Sequence, residues 1–127
     1  MSKSYILQID EAAGSGTKTY YLPFDRNVII ENISIVADAQ VTAHANNNVV
    51  LTFYGSDGAT ALCSRSTASG AGGTTIAGGV SEDLTLANMN KGYFSGSESM
   101  LLSSVQANSG VATKLTINVK ARDARAF

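Results

Sequence analysis

The chain has 127 residues, 44% of them apolar and 15% charged, with a formal net charge of −1 at neutral pH. This length suits one domain, and the apolar content is too high for a disordered chain. The near-neutral charge argues against a nucleic-acid partner, because binding to phosphates requires clustered Lys and Arg. With so few charged residues, much of the polar surface must come from Ser, Thr, Asn and Gly.

Two alternating segments begin the chain, "SYILQID" and "KTYYLPF", with the glycine-containing loop "AAGSG" between them. Alternation of apolar and polar residues predicts strands, and the short connection predicts that the two strands pair as a hairpin. Pro23 has no N–H to donate to a ladder, so the second strand is expected at a sheet edge. Tyr20 and Tyr21 are adjacent, so one of them must point away from the core.

The odd positions of residues 29–45 stay mostly apolar for longer than a strand usually runs. This predicts a break near Asp38, with a strand on either side. The next segment, "NVVLTFY", predicts a strand that places Val50 and Tyr54 on a semi-apolar second face. Asp57-Gly58 then predicts a tight turn between two extended segments.

Five glycines lie within residues 66–83, "STASGAGGTTIAGGVSED". A phosphate-binding loop would have Lys and Ser or Thr where this chain has Gly79 and Val80. A dinucleotide-binding loop would have its third glycine at Thr75 and a helix after it. The stretch is therefore interpreted as a long, flexible surface connection. A functional interpretation of the same stretch is that residues 66–79 form a contact arm, which becomes ordered only when it packs against a neighbouring subunit.

Near the end of the chain, "LANMNKGYF" predicts a short helix or 3₁₀ turn, and "TKLTINVKARD" predicts a half-buried strand. The count of about eight or nine short strands predicts an all-β fold, a two-sheet antiparallel sandwich. A jelly roll of about eight strands fits best, and an immunoglobulin-like sandwich is second. Residues 1–127 are expected to form a single domain with short terminal arms, "MSKSY" and "DARAF".

The residues that could carry chemistry do not form a recognisable catalytic or metal-binding set. His44 is the only histidine and lies on the polar phase of its segment, which predicts a surface position. Cys63 is the only cysteine, so it has no partner for an internal disulfide and is expected to be buried. Adjacent acids such as Asp10 and Glu11 point to opposite faces of a strand. The sequence therefore predicts a protein that is not an enzyme and has no cofactor or metal site.

The glycine-rich loops "AAGSG" and "SGAGG", the alternating strand "TKLTINVKARD" and a start without a signal peptide together resemble the capsid decoration (cement) proteins of tailed phages, of the jelly-roll type. The resemblance implies a structural virion protein, synthesised in the host cytoplasm, that binds the outside of an assembled capsid. It implies a homotrimer that clamps neighbouring subunits of the major capsid protein. Nucleic acid and membrane are not implied as partners.

An interface is expected at Tyr20, Tyr21, Val50, Tyr54 and Phe127. The strand residues would cover a neighbouring subunit, and Phe127 would anchor a terminal arm. The main alternative is a carbohydrate- or receptor-binding β module, such as part of a tail fibre, whose exposed tyrosines stack on sugars. A third interpretation is an accessory domain of a hydrolase.

Overall fold

A computed structural model of the protein describes residues 2–124. These residues form nine strands: β1 (Ser2–Glu11), β2 (Gly16–Pro23), β3 (Val28–Ala37), β4 (Asn48–Tyr54), β5 (Ala61–Ser66), β6 (Ser81–Asp83), β7 (Tyr93–Phe94), β8 (Ser99–Ala107) and β9 (Thr113–Asp123). Two 3₁₀ turns, Ser69–Ala71 and Met89–Lys91, lie in the connections, the second where the sequence predicted one. In the described part of the chain no helix has the length and apolar character needed to cross a membrane.

The strands form two antiparallel sheets. Sheet I has the order β1-β9-β3-β6, with β7 also paired to β3, and sheet II has the order β2-β8-β4-β5. Apart from β7, the pairing is nested: the first strand pairs with the last, the second with the last but one, and so inwards to β4 and β5. This is the strand order of an eight-stranded jelly roll. The predicted two-sheet sandwich is confirmed.

The core lies between the two sheets and is built by alternation along each strand. In β9, Leu115, Ile117 and Val119 are almost completely buried, while the residues between them face outward. An aromatic cluster closes one end of the core, where the Phe24 ring packs edge-on against Tyr5, with ring centroids 5.0 Å apart. The period-two pattern of the sequence is thus the direct cause of the layered fold.

The predicted hairpin between the first two strands is wrong. All ten residues of β1 pair with β9, and all eight of β2 pair with β8 in the other sheet. The loop between β1 and β2 therefore crosses from one sheet to the other. Alternation specifies which face of a strand is buried. It does not specify whether two such strands pair side by side in one sheet or pack face to face in two.

Two other predictions, the break near Asp38 and the edge position of Pro23, are confirmed. The long alternating segment does break at Asp38, since β3 ends at Ala37. Beyond the break the chain makes only isolated bridges at Val41 and His44, so the second strand predicted there does not form. Pro23 ends β2, which is an edge strand of sheet II, as expected for a residue without an N–H.

The amino-terminal segment is part of the sandwich. Ser2 lies opposite Arg122 in the β1–β9 ladder, and the Lys3 ammonium lies 2.7 Å from the Asp25 carboxylate. The prediction of an arm at "MSKSY" is therefore wrong for the residues that the structure describes. Phe127, the predicted anchor of the other arm, lies outside the described residues.

The turn between β4 and β5 is built around Asp57, as the Asp57-Gly58 pair predicts. One carboxylate oxygen accepts hydrogen bonds from the backbone N–H groups of Ala59 and Thr60, at 3.0 and 2.9 Å. The other accepts a 2.6 Å hydrogen bond from the Thr60 hydroxyl. Gly58 has a positive φ of 68°, which L-residues rarely adopt. The Thr60 hydroxyl, followed by the two N–H groups, lowers the pKa of Asp57 from 3.8 to about 2.

This depressed pKa makes the turn sensitive to acid. The contribution of Asp57 to stability is fully present above the unfolded pKa, near 3.8, and is lost as the pH falls through about 2. We expect Asp57→Asn to lower the melting temperature at pH 7 and to flatten its dependence on pH between about 4 and 2. Thermal melts across this range, with the exposed Asp10→Asn as control, would measure it. A slope equal to that of the wild type would contradict the assignment.

Candidate interaction surface

Among the residues that the structure describes, none with a charged side chain lies on the outward side of sheet II. Since Leu22, Met100 and Phe53 point into the core, the residues that alternate with such inward positions face solvent. They are Thr17, Thr19 and Tyr21 of β2, Leu101, Ser103 and Val105 of β8, Val50, Thr52 and Tyr54 of β4, and Ser64 of β5. We call this set the uncharged face. It spans four hydrogen-bonded strands, so its side chains stand on a rigid, nearly continuous platform.

The larger side chains of the uncharged face lie in two rows across the strands. Tyr21 is directly opposite Leu101, and Tyr54 comes one residue after the Phe53–Leu102 pair, so Leu101 lies between the two tyrosines. Neighbouring strands are ~4.8 Å apart, and β8 lies between β2 and β4. The backbones of Tyr21 and Tyr54 are therefore about 10 Å apart. In the other row Val50 is directly opposite Val105. Tyr21 is 62% exposed and Val105 42% exposed.

The outward side of sheet I has the opposite character. It carries Asp10, Asp38, Asp83, Lys114, Lys120 and Arg122. The Lys114 ammonium lies 3.6 Å from the Asp38 carboxylate. Charged groups of both signs keep such a face hydrated and soluble, whereas a face of Tyr, Val, Leu, Ser and Thr loses little on being covered by protein. The sandwich is therefore two-sided, with one surface suited to solvent and the other to contact.

The structure brings together three of the five predicted interface residues. Tyr21, Val50 and Tyr54 all belong to the uncharged face. Tyr20 does not, because it points between the sheets and its hydroxyl donates a 2.6 Å hydrogen bond to Glu11. Phe127 lies outside the described residues.

Leu101 and Val105 were missed as surface residues by sequence reasoning. Their strand, "MLLSSVQA", has apolar residues and Ser on both faces, so its alternation does not show which face is buried. In the structure Met100 and Leu102 are each 2% exposed, and Leu101 is half-buried between them. The sequence held no signal for them, because only the strand register shows that Leu101 is the direct partner of Tyr21.

A buried polar cluster around Glu11 joins the two sheets on the inner side of sheet II. Glu11 of β1 is only 2% exposed. One of its carboxylate oxygens accepts hydrogen bonds from the Ser104 hydroxyl at 2.9 Å and the Gln106 amide at 3.0 Å, and the other accepts the Tyr20 hydroxyl. Burial, and then this hydrogen bond, raises the pKa of Tyr20 well above its ordinary value. The donors all come from sheet II, so Glu11 locks β1 to the opposite sheet.

The glycine-rich stretch is packed against the sandwich. Arg65 is its anchor: its guanidinium donates to the carbonyls of Ser66, Thr74 and Thr75 at 2.8–3.1 Å and pairs with the Glu82 carboxylate. Ile76 exchanges backbone hydrogen bonds with Val41 and is 1% exposed. These contacts hold the stretch against the sandwich, which argues against the predicted flexible connection and against an arm that orders only on a neighbouring subunit.

The two other side chains that could carry chemistry, His44 and Cys63, lie in structural positions. The Nδ1 atom of His44 accepts hydrogen bonds from the backbone N–H groups of Asn46 and Asn47, at 3.0 and 2.9 Å, so this exposed histidine closes a turn. Cys63 is buried, as predicted, and burial raises the pKa of its thiol to about 12. Within residues 2–124 no group of three or more His, Cys, Asp or Glu side chains lies together as a possible metal site.

Comparisons with known proteins add little to this geometry. No protein-family model matches the chain, and no curated protein matches it. A solved structure from desmodium yellow mottle tymovirus shares 14% identity, with a TM-score of 0.38, over 95% of this chain and 85% of that chain. A likeness at this level carries no argument about function, so the fold assignment rests on the nested strand pairing itself.

Proposed function

We propose that the protein is a structural component of a phage virion, which binds the outside of an assembled capsid and stabilises it by clamping neighbouring capsid subunits. The uncharged face is the surface that contacts the shell. The protein acts by binding rather than by catalysis, without a cofactor. It works as a homo-oligomer, and the resemblance to decoration proteins favours a trimer.

The observation that carries the proposal is the contrast between the two outer faces of one rigid jelly roll. Exposed apolar side chains that lie together, as Tyr21 and Leu101 do in one row and Val50 and Val105 in the other, are typical of interaction sites. The uncharged face spans four paired strands, which suits contact with the surface of a protein shell better than binding of a small molecule in a cleft. Jelly rolls also serve as viral capsid and lectin domains, so the fold is compatible with this role.

Stabilisation of the shell would follow from mass action. A protein that binds the assembled shell and not its separate subunits lowers the free energy of the assembled state by an amount that grows with its concentration. The effect requires only shape complementarity and a rigid platform. The four paired strands behind Tyr21, Val50 and Tyr54 supply that rigidity.

A substitution on the uncharged face tests the proposal. We expect Val105→Lys to reduce co-sedimentation with purified tailed-phage heads at least tenfold, since a buried unpaired ammonium costs more than the ~1.4 kcal/mol that a tenfold change represents. The matched control is Val80→Lys, because Val80 is 56% exposed but lies off this face. Native mass spectrometry should give copy numbers in multiples of three for all three proteins. Wild-type protein that stays in the supernatant with every head preparation would overturn the proposal.

A second candidate function is carbohydrate binding by the same face. The specific observation that favours it is that Tyr21 and Tyr54 both face outward on this sheet, ~10 Å apart across two strand spacings, because exposed aromatic rings can stack on sugars. In that case a glycan array should give reproducible hits that Tyr21→Ala and Tyr54→Ala abolish. Glycan binding without head binding would replace the first proposal by this one.

A further inference from the structure

The edge strands of the sandwich differ in how well they are protected. An exposed strand edge is a template for another chain, and proteins usually shorten, bend or cover it. In sheet I, β6 has only three residues. In sheet II, β5 pairs with β4 through a bulge and is followed by the glycine-rich stretch, while β2 ends in a proline. The fourth edge strand, β1, has ten residues in continuous register with β9 and no bulge, proline or covering segment within the described chain.

The backbone groups that β1 leaves free can be assigned from the ladder. The N–H of Asp38 donates to the carbonyl of Lys114, so Lys114 and every second residue after it point their backbone groups toward β3. The residues between them, such as Ile117, point theirs toward β1. Their partners, including Leu7, are therefore bonded to β9. It follows that Ser4, Ile6, Gln8 and Asp10 direct their N–H and C=O groups to the open edge.

The side chains of this edge are also unusual for sheet I. Ile6 lies at the middle of β1 on the outward side and is 52% exposed, although most of its neighbours there are polar. Lys3, the one cation of the strand, is held by Asp25 at 2.7 Å and is directed away from the middle of the edge. The centre of β1 therefore combines free backbone groups with an exposed aliphatic side chain and no charge.

We propose that β1 pairs antiparallel with β1 of a second copy of this chain, about a two-fold axis between the two Ile6 residues. This register places Ser4 opposite Gln8 and Ser2 opposite Asp10, so no like charges face each other. It provides about ten backbone hydrogen bonds, because each hydrogen-bonded pair exchanges two. The two Ile6 side chains cover each other, which accounts for the exposed isoleucine. The result is one continuous sheet through both copies.

This contact is separate from the uncharged face, which lies on the other sheet, and it does not depend on the proposed function. It can coexist with the proposed trimer, because β1 pairing between two trimers gives an assembly of six copies. Disrupting β1 should therefore halve the mass of the assembly, whatever its total copy number. Failure of head binding would leave this expectation untouched, and failure of the pairing would leave head binding untouched.

Cross-linking tests the register. In the Ile6→Cys variant the two thiols should lie on directly opposed residues, whose Cα atoms are about 5.5 Å apart, within the range for a disulfide. In the matched control, Ser4→Cys, the two cysteines would be about 13 Å apart along the strands and too far to join. After mild oxidation we expect a covalent dimer from Ile6→Cys at a yield at least fivefold above Ser4→Cys. The native Cys63 is 8% exposed and should give no background.

Native mass spectrometry tests the contact without new thiols. We expect Ile6→Lys to halve the assembly mass, because two ammonium groups would face each other across the axis. Val80→Lys makes a comparable change at an exposed valine away from β1 and should keep the wild-type mass. An unchanged mass for Ile6→Lys, or equal cross-linking of the two cysteine variants, would overturn the proposal. An odd copy number for the wild-type assembly would do the same.

Discussion

Replacing Glu11 by Ala should lower the free energy of unfolding by about 4 kcal/mol. The change removes the acceptor for three donors, the Tyr20 hydroxyl, the Ser104 hydroxyl and the Gln106 amide. A buried donor without a partner costs about 1–3 kcal/mol, and the lost side chain leaves a cavity in addition. Because the donors belong to the sheet opposite Glu11, the variant also loses a link between the two layers. Chemical denaturation at neutral pH measures the effect.

The neighbouring residue provides the control. Asp10 precedes Glu11 but points to solvent, so Asp10→Ala should change stability by no more than about 0.5 kcal/mol. Tyr20→Phe removes one of the three donors and should cost less than Glu11→Ala. If the two Ala variants were equally stable, the cluster could not be holding the sheets together.

The inward position of Glu11 was available in the sequence. Tyr5, Leu7 and Ile9 define the buried phase of the first strand, and Glu11 continues that phase while Asp10 lies on the other. The donors could not be predicted, since Ser104 and Gln106 come more than 90 residues later and on the other sheet. Periodicity is a local property of the chain, whereas partners across the sandwich are set by the topology.

Because periodicity is local, the sequence predicted the fold class but not the pairing of the strands. Alternation in segments such as "TKLTINVKARD" was enough to predict a two-sheet sandwich, because it shows how many faces must be buried. It could not show that β1 pairs with β9 and not with β2. In a jelly roll nearly every pair joins strands that are distant in the chain, so a rule that favours sequential neighbours fails here.

The candidate surface was predictable in part for a related reason. Tyr20 and Tyr21 had to point in opposite directions, and the phase of Leu22 and Phe24 indicates that Tyr20 is the buried one. Recognising a continuous uncharged face also required the order of the strands, which places Leu101 between Tyr21 and Tyr54. The alternation within each strand identified individual outward residues, whereas only the strand order of the sheet shows that they form one surface.

Gly73→Ala should destabilise the protein strongly, by about 3 kcal/mol, although the glycine lies in a surface stretch. A Cβ atom at Gly73 would meet the backbone N of Ala68 in a severe overlap and lie 2.7 Å from the Ser66 carbonyl oxygen and 2.8 Å from that of Ala68. Backbone atoms cannot rotate aside as a side chain can, so the substitution must displace the segment or break the 2.8 Å hydrogen bond from Gly73 to Ala68.

The control lies three residues earlier. A Cβ atom at Gly70 would meet no atom within 4 Å, so Gly70→Ala should leave stability unchanged or raise it slightly by restricting the unfolded chain. Amide exchange gives the second measurement: residues 66–79 should be protected in the wild type and in Gly70→Ala, and should exchange faster in Gly73→Ala. Rapid exchange of this stretch in the wild-type protein would mean that Arg65 and Ile76 do not hold it against the sandwich. It would restore the idea of an arm that orders only on a partner.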